Sequence, residues 1–119
     1  MEAPIGMRTY TTQRYCPIAR TLDVVGDRWC LLVLRDLFDG TSRFADLVRS
    51  LEGISPNVLS TRIKTLEAAG IIEHRVYSNH PLRAGYHLTP KGLALGPVLG
   101  ALAEWGQAWE PEEGKLASD

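Results

Sequence analysis

Asn57, Ser60, Thr61 and Lys64 fall on one side of the segment from Pro56 to Gly70, opposite an apolar stripe of Leu59, Ile63 and Leu66. On a helix, that side presents amide, hydroxyl and ammonium groups with few acidic neighbours. Such groups suit the base edges and phosphates of DNA. Arg62 stands at the boundary between the two sides and is also a candidate for DNA contact. Ser55 precedes Pro56 as an N-cap and is a second candidate for a phosphate contact. Arg43 begins the preceding helix and is a third. His80 and Arg83 lie in a hairpin loop, where they are placed to meet the flanking backbone or minor groove.

Two further groups are reactive by type. Cys16 precedes Pro17 at the start of a helix, where the helix dipole stabilises a thiolate, and Arg14 and Arg20 are close in sequence. Oxidation or alkylation there is one reading, and a small side chain packed at a helix start is the other. Cys30 lies in an apolar helix and reads as inert core. His74 and His87 are expected to face one another across the hairpin. With His80 and a cysteine they raise the question of a metal, but no Cys-x-x-Cys spacing supports zinc. They read as a solvated or phosphate-facing pair, and no metal or other cofactor is expected. The chain carries no Gly-x-Gly-x-x-Gly, P-loop, His-Glu-x-x-His or Gly-x-Ser-x-Gly, so an enzyme is not expected.

The elements that must position these residues are readable from periodicity and caps. In 43–51, Phe44, Leu47, Val48 and Leu51 recur at i, i+3, i+4 and i+7, which predicts a helix capped by Ser42. Gly53 ends that helix and opens a tight turn, with Ile54 as a buried plug. Ser55-Pro56 starts the second helix and Gly70 closes it. Ile71 to Tyr77 and Ala84 to Leu88 predict two strands, and the six residues between them predict a protruding tip. This order is a helix-turn-helix followed by a wing.

The rest of the chain reads as scaffold. Residues 17–25 form a short helix, with Pro17 first and Gly26 at its end. Arg28 to Phe38 is apolar nearly all round and predicts a central helix. A last helix runs from Thr89-Pro90 to about Trp109, with a kink or restart near Pro97. Leu95, Val98, Leu102, Trp105 and Trp109 recur along it at three- and four-residue steps. A seam of this kind serves either as core or as a partner surface. Its two tryptophans, and a core already supplied by the central helix, favour dimerisation, with Leu22 on the first helix joining the interface.

The chain of 119 residues has 45% hydrophobic residues, ordinary for one globular domain. Residues 1–14 are expected to form an arm, 15–110 the folded domain and 111–119 an acidic tail. The formal charge of −1 hides a basic centre. Residues 43–91 hold seven basic and four acidic side chains, a local +3, whereas 104–119 hold one and five. No stretch approaches the ~18 apolar residues of a membrane span, and the first fifteen residues lack the apolar core of a signal peptide. Two cysteines fit a reducing cytoplasm.

Seven segments together carry a family resemblance: Cys16-Pro17-Ile18, Gly26-Asp27-Arg28-Trp29, Gly40-Thr41-Ser42-Arg43-Phe44, Gly53 to Ser60, Leu66 to Ile72, Tyr86 to Gly92 and Trp105-Gly106. The chain resembles the HxlR family of bacterial transcriptional regulators, winged-helix proteins related to the MarR type. One departure is Asp27-Arg28-Trp29, where the family commonly has Gly-Lys-Trp. The resemblance implies a mostly α fold with a small β-hairpin (α+β), dimerised through N- and C-terminal helices. It also implies binding of double-stranded DNA at an inverted-repeat operator, repression of an adjacent gene, and a small-molecule or electrophile effector. Some members resembling this chain use an N-terminal cysteine as a redox or electrophile sensor, which makes Cys16 the candidate here. A winged-helix module used only for protein–protein contact, or a metal- or ligand-responsive regulator without thiol sensing, is the alternative.

Overall fold

The computed structural model describes residues 15–79 and 82–112, together with the backbone but not the side chains of 77–79, 82 and 83. The expected arm 1–14 and most of the expected tail lie outside the described residues. Six helical segments and one hairpin follow in the order α1 (Pro17–Val25), α2 (Cys30–Phe38), α3 (Phe44–Ser50), α4 (Pro56–Ala68), β1 (Ile72–Asn79), β2 (Leu82–Leu88), α5 (Pro90–Leu93) and α6 (Gly96–Trp109). The chain is mostly helical, with a two-stranded antiparallel sheet.

One apolar core holds these elements together. Cys30, Val33, Leu34 and Leu37 of α2 are buried with Leu47 and Leu51 beside them. Leu59, Ile63 and Leu66 bring in the inner stripe of α4, and Ile71 and Ile72 bring in the root of the hairpin. α2 touches α3, α4, α6 and β2, which is the central position its apolar circumference requires. α2 begins at Cys30 rather than Arg28. The Asp27 carboxylate accepts the N–H groups of Trp29 (2.6 Å) and Cys30 (3.0 Å), satisfying the first donors that a helix leaves unpaired.

The caps of α3 and α4 behave differently. Ser55 caps α4 as its sequence predicts, accepting the Val58 N–H at 3.1 Å with Pro56 first in the helix. Ser42 does not cap α3: Arg43 occupies that position, with no side-chain bond to the helix. The Ser42 carbonyl instead accepts the Tyr86 N–H at 2.8 Å, docking the hairpin onto the α2–α3 connection. A Cβ at Gly85 would lie 2.8 Å from the Ser42 hydroxyl, so this approach needs a glycine. Gly53 (φ +91°) and Gly70 (φ +75°) take the left-handed conformation that ends α3 and α4.

The hairpin departs from its sequence reading. The expected six-residue loop is mostly paired strand, since Ser78 pairs with Arg83 and Asn79 with Leu82. A register shift between Val76 and Ser78 absorbs the mismatch, and backbone pairing tolerates the loop-type side chains there. The wing projects as a ribbon of roughly 25 Å, from eight residues at ~3.3 Å each, rather than as an open loop. His74 pairs with Tyr86, ring centroids 5.1 Å apart, and His87 with Glu73, so the two histidines are not opposite one another.

The terminal helix breaks as Pro97 requires, with α5 ending at Leu93 and α6 restarting at Gly96. No helix among the described residues is long and apolar enough to cross a membrane.

Candidate nucleic-acid interface

The inner stripe of α4 fixes which side faces out. With Leu59, Ile63 and Leu66 buried, Asn57, Thr61 and Lys64 are exposed and Ser60 is half-buried. Between Ser55 and Leu66 the chain has no acidic residue. The Thr61 hydroxyl donates to the Asn57 carbonyl at 3.0 Å, which fixes its rotamer and leaves the oxygen as an acceptor. Lys64 forms no ion pair among the described residues. The face therefore presents an amide, two hydroxyls and an ammonium on a rigid helix, the donor and acceptor types that base edges and phosphates pair with.

Arg62 is placed apart from that face. Its guanidinium Nε lies 3.1 Å from Asp27 Oδ2, and its side chain is 30% exposed. The boundary position read from the sequence is thus occupied by a link from α4 back to the start of α2. Arg43 is exposed at the N-terminus of α3. Arg83 pairs through its backbone with Ser78, and its side chain lies outside the described residues, as does His80. Arg75 is engaged by Glu73, with Nε to Oε1 at 2.6 Å. Among the described residues no group of three or more His, Cys, Asp or Glu could hold a metal ion.

Two clamps aim the helix and wing together. The Thr89 hydroxyl donates to the Gly70 carbonyl at 2.5 Å, lies 3.0 Å from that of Ile71, and accepts the Gly92 N–H at 3.1 Å. Lys91 Nζ donates to the Ala69 carbonyl at 2.7 Å, a cation at the negative end of α4. A Cβ at Gly92 would lie 2.2 Å from the Ile71 carbonyl, so α5 packs this closely only without a side chain there. Burial first, and then the Glu67 charge, raise the Tyr86 phenol above its ordinary range, which keeps it neutral where the wing meets the core.

Sequence reasoning missed Asp27, Thr89 and Lys91 as positioning residues. An aspartate three residues before a helix's first buried side chain is a cap signal that could have marked Asp27. Thr89-Pro90 was legible as a helix start, but its reach to Gly70 was not. Lys91 has no local signal, because its acceptor is 22 residues away.

Asp27 also receives the Cys30 thiol, Sγ to Oδ2 at 2.9 Å. Burial, the hydrogen bond and the neighbouring carboxylate together push that thiol far above its usual range, which makes it an inert core group. Burial works to raise the Asp27 carboxyl. The hydrogen bonds from Cys30 and Trp29 and the Arg62 charge outweigh it, leaving the Asp27 carboxyl below the usual carboxylate range. A depressed carboxylate stabilises the fold above its unfolded pKa and loses that contribution as pH falls through the folded one. Asp27→Ala should therefore lower stability by about 1 kcal/mol at neutral pH, the worth of a cap. The difference should shrink only below about pH 4, where the unfolded carboxylate titrates. Thermal melts of both proteins from pH 7 to 3 check this, and a gap that closes near pH 6 would remove Asp27 from the role.

Comparison with known proteins points the same way. Residues 24–114 match the model of the HxlR-like helix-turn-helix family. The chain is 38% identical over 104 residues to an uncharacterised HTH-type transcriptional regulator, sll1512, of a Synechocystis strain, covering 87% of this chain and 77% of that one. It is 37% identical over 95 residues to the regulator YvaP of Bacillus subtilis, covering 79% and 88%. Among solved structures it superposes on PA1607, a candidate transcription factor, with TM-score 0.78 and 39% identity over 88% of this chain and 74% of that one. It also superposes on the reduced form of the B. subtilis transcriptional regulator YodB, with TM-score 0.70 and 33% identity over 82% and 98%. The redox regulator HypR in its reduced form matches with TM-score 0.72 and 33% identity over 78% and 92%. With a helix-turn-helix, a paired wing and these relatives, the chain belongs to the HxlR-like helix-turn-helix family and is a DNA-binding transcriptional regulator, not an enzyme.

Proposed function

We propose that this regulator is a homodimeric repressor acting in the cytoplasm, where it binds an inverted-repeat operator beside the gene it controls and releases it when Cys16 is oxidised or alkylated. The observation that carries the dimer is the apolar face left uncovered at the ends of the chain. No residue of α6 is buried, and Trp105 and Trp109 are 62% and 70% exposed. Val98 and Leu102 share that exposure, as do Ile18 and Leu22 of α1. Beside them runs a cleft of about 720 Å³ between α2 and α6, where Leu31, Leu32, Phe38, Leu99 and Leu102 line the walls together with the charged Asp27, Arg28, Arg35 and Asp39. Exposed apolar side chains and two tryptophans repeated along one helix of a small domain mark an interface. Leu95 differs from its seam neighbours: it turns inward and packs against the core.

Dimerisation gives each copy one α4, and the two recognition helices then lie about one helical turn (~34 Å) apart on DNA. Asn57, Ser60 and Thr61 read base edges, Lys64 and Ser55 hold phosphates, and the wing with Arg83 follows the flanking backbone. Arg43 supports the same backbone from α3.

Cys16 stands at the N-cap of α1, half-buried, immediately before the exposed Ile18 and Leu22. A modification there alters how α1 meets the partner and hence the separation of the recognition helices. HypR is described in both reduced and oxidised forms and YodB in a diamide-treated form, which supports thiol chemistry in this family. Diamide should weaken operator binding by about tenfold in the parent and leave Cys16→Ser unchanged, a coupling of ordinary allosteric size. Electrophoretic mobility shift on an operator selected from random-sequence DNA measures it. A treated parent that binds as tightly as the untreated one leaves Cys16 with a packing role alone.

A further inference from the structure

Thr61 is exposed on α4, on the side turned away from the buried Leu59 and Ile63. Its hydroxyl turns back on the helix and donates to the Asn57 carbonyl, one turn earlier, at 3.0 Å. Thr65 repeats the arrangement, donating to the Thr61 carbonyl at 3.1 Å. A threonine carries a hydroxyl and a methyl on the same carbon. With the hydroxyl drawn against the preceding turn, the methyl is the group left standing outward. Residues four apart share a helix face, so the two methyls stand one turn apart on the same side. Thr61 thus places an apolar spot between the polar, exposed Asn57 and Lys64.

In the major groove the C5-methyl of thymine is the apolar group that tells one base from the others. A methyl aimed at any other base edge covers a donor or acceptor and leaves it without a partner. The Thr61 oxygen is able to accept from an amino group, but its bond to the Asn57 carbonyl holds it against the helix and away from the groove floor.

We infer that Thr61 reads a thymine through its methyl, packed against the C5-methyl of the base, and that its hydroxyl takes no part in the reading. The bond to Asn57 sets the methyl in place beforehand, so little rotamer freedom is lost when DNA arrives. The inference rests on the role of α4 as the reading helix and adds which base Thr61 selects.

The test uses the full chain and an operator selected from random-sequence DNA. Each thymine of one half-site is replaced in turn by deoxyuridine, which lacks the methyl and keeps every hydrogen-bonding group. One of these replacements should weaken binding roughly fourfold, the worth of burying one methyl-sized group. Thr61→Val keeps the methyl and loses the hydroxyl, and should retain both operator affinity and the fourfold penalty. Thr61→Ser keeps the hydroxyl and loses the methyl, and should bind the two forms of that site equally, which is the coupling between the two methyls. Mobility-shift titrations give the affinities. Circular dichroism checks that each variant is folded, and the deoxyuridine series on the parent stands without either.

A half-site with no methyl-sensitive thymine, or a penalty that Thr61→Ser retains, would overturn the inference. So would loss of operator affinity in Thr61→Val but not in Thr61→Ser, which assigns the reading to the hydroxyl. Asn57→Ala separates these failures from failure of the helix as a whole. If it loses operator affinity while the thymine methyls are without effect, α4 still reads DNA and only the role of Thr61 falls. If it also binds unchanged, the loss extends to α4 as the reading helix.

Discussion

Replacing Leu102 with Glu and Trp105 with Ala will convert the proposed dimer to a monomer and weaken operator binding by about 100-fold or more. Two linked recognition helices make the second half-site contact intramolecular, and breaking the link removes that gain without touching a DNA contact. The variant should fold, because no residue of α6 is buried and the core is built from α1 to α4 and the hairpin root. A charge at Leu102 cannot enter an apolar interface without a partner, so the loss falls on assembly. Sedimentation at micromolar concentration measures the dimer in the parent and its absence in the variant. A parent that sediments as a monomer removes both the interface and the inverted-repeat operator.

The second large effect separates reading from positioning on α4. Asn57→Ala and Thr61→Ala should each cost about 1–3 kcal/mol on a selected operator and much less on random DNA, the signature of a lost base contact. Lys64→Ala and Arg83→Ala should weaken binding to all sequences, each reducing the salt dependence by about one counterion. Arg62→Ala should behave unlike any of these. Its guanidinium is turned to Asp27, so the loss should appear in thermal stability while sequence preference is kept. Affinities across a salt series on operator and random DNA decide the matter. Intact operator affinity in the Asn57, Thr61, Lys64 and Arg83 variants together would mean that α4 is not the reading helix.

What the sequence determined by itself is the set of features governed within about four residues along the chain. Ser55-Pro56 starts α4 because a hydroxyl and a missing N–H act on the first turn alone. Gly53 and Gly70 end helices because only glycine takes their backbone angles without strain. The stripe of Leu59, Ile63 and Leu66 orients α4, so the outward placement of Asn57, Thr61 and Lys64 follows from periodicity before any packing is known. The break near Pro97 follows from one absent N–H.

Only the tertiary structure decided the contacts between residues distant along the chain. Ser42 has the chemistry of a cap, yet its carbonyl goes to Tyr86, because the hairpin docks there and Gly85 lets it approach. Arg62 reads as a DNA contact by type, and its pairing with Asp27, 35 positions earlier in the chain, comes only from how α4 meets the start of α2. The paired length of the wing came from strand register, to which loop-type residues are indifferent. The direction of Leu95 and the reach of Lys91 to Ala69 depend on how separate elements meet. Local rules choose the elements. Docking, which balances burial of each apolar face against pairing of each polar group, chooses their partners.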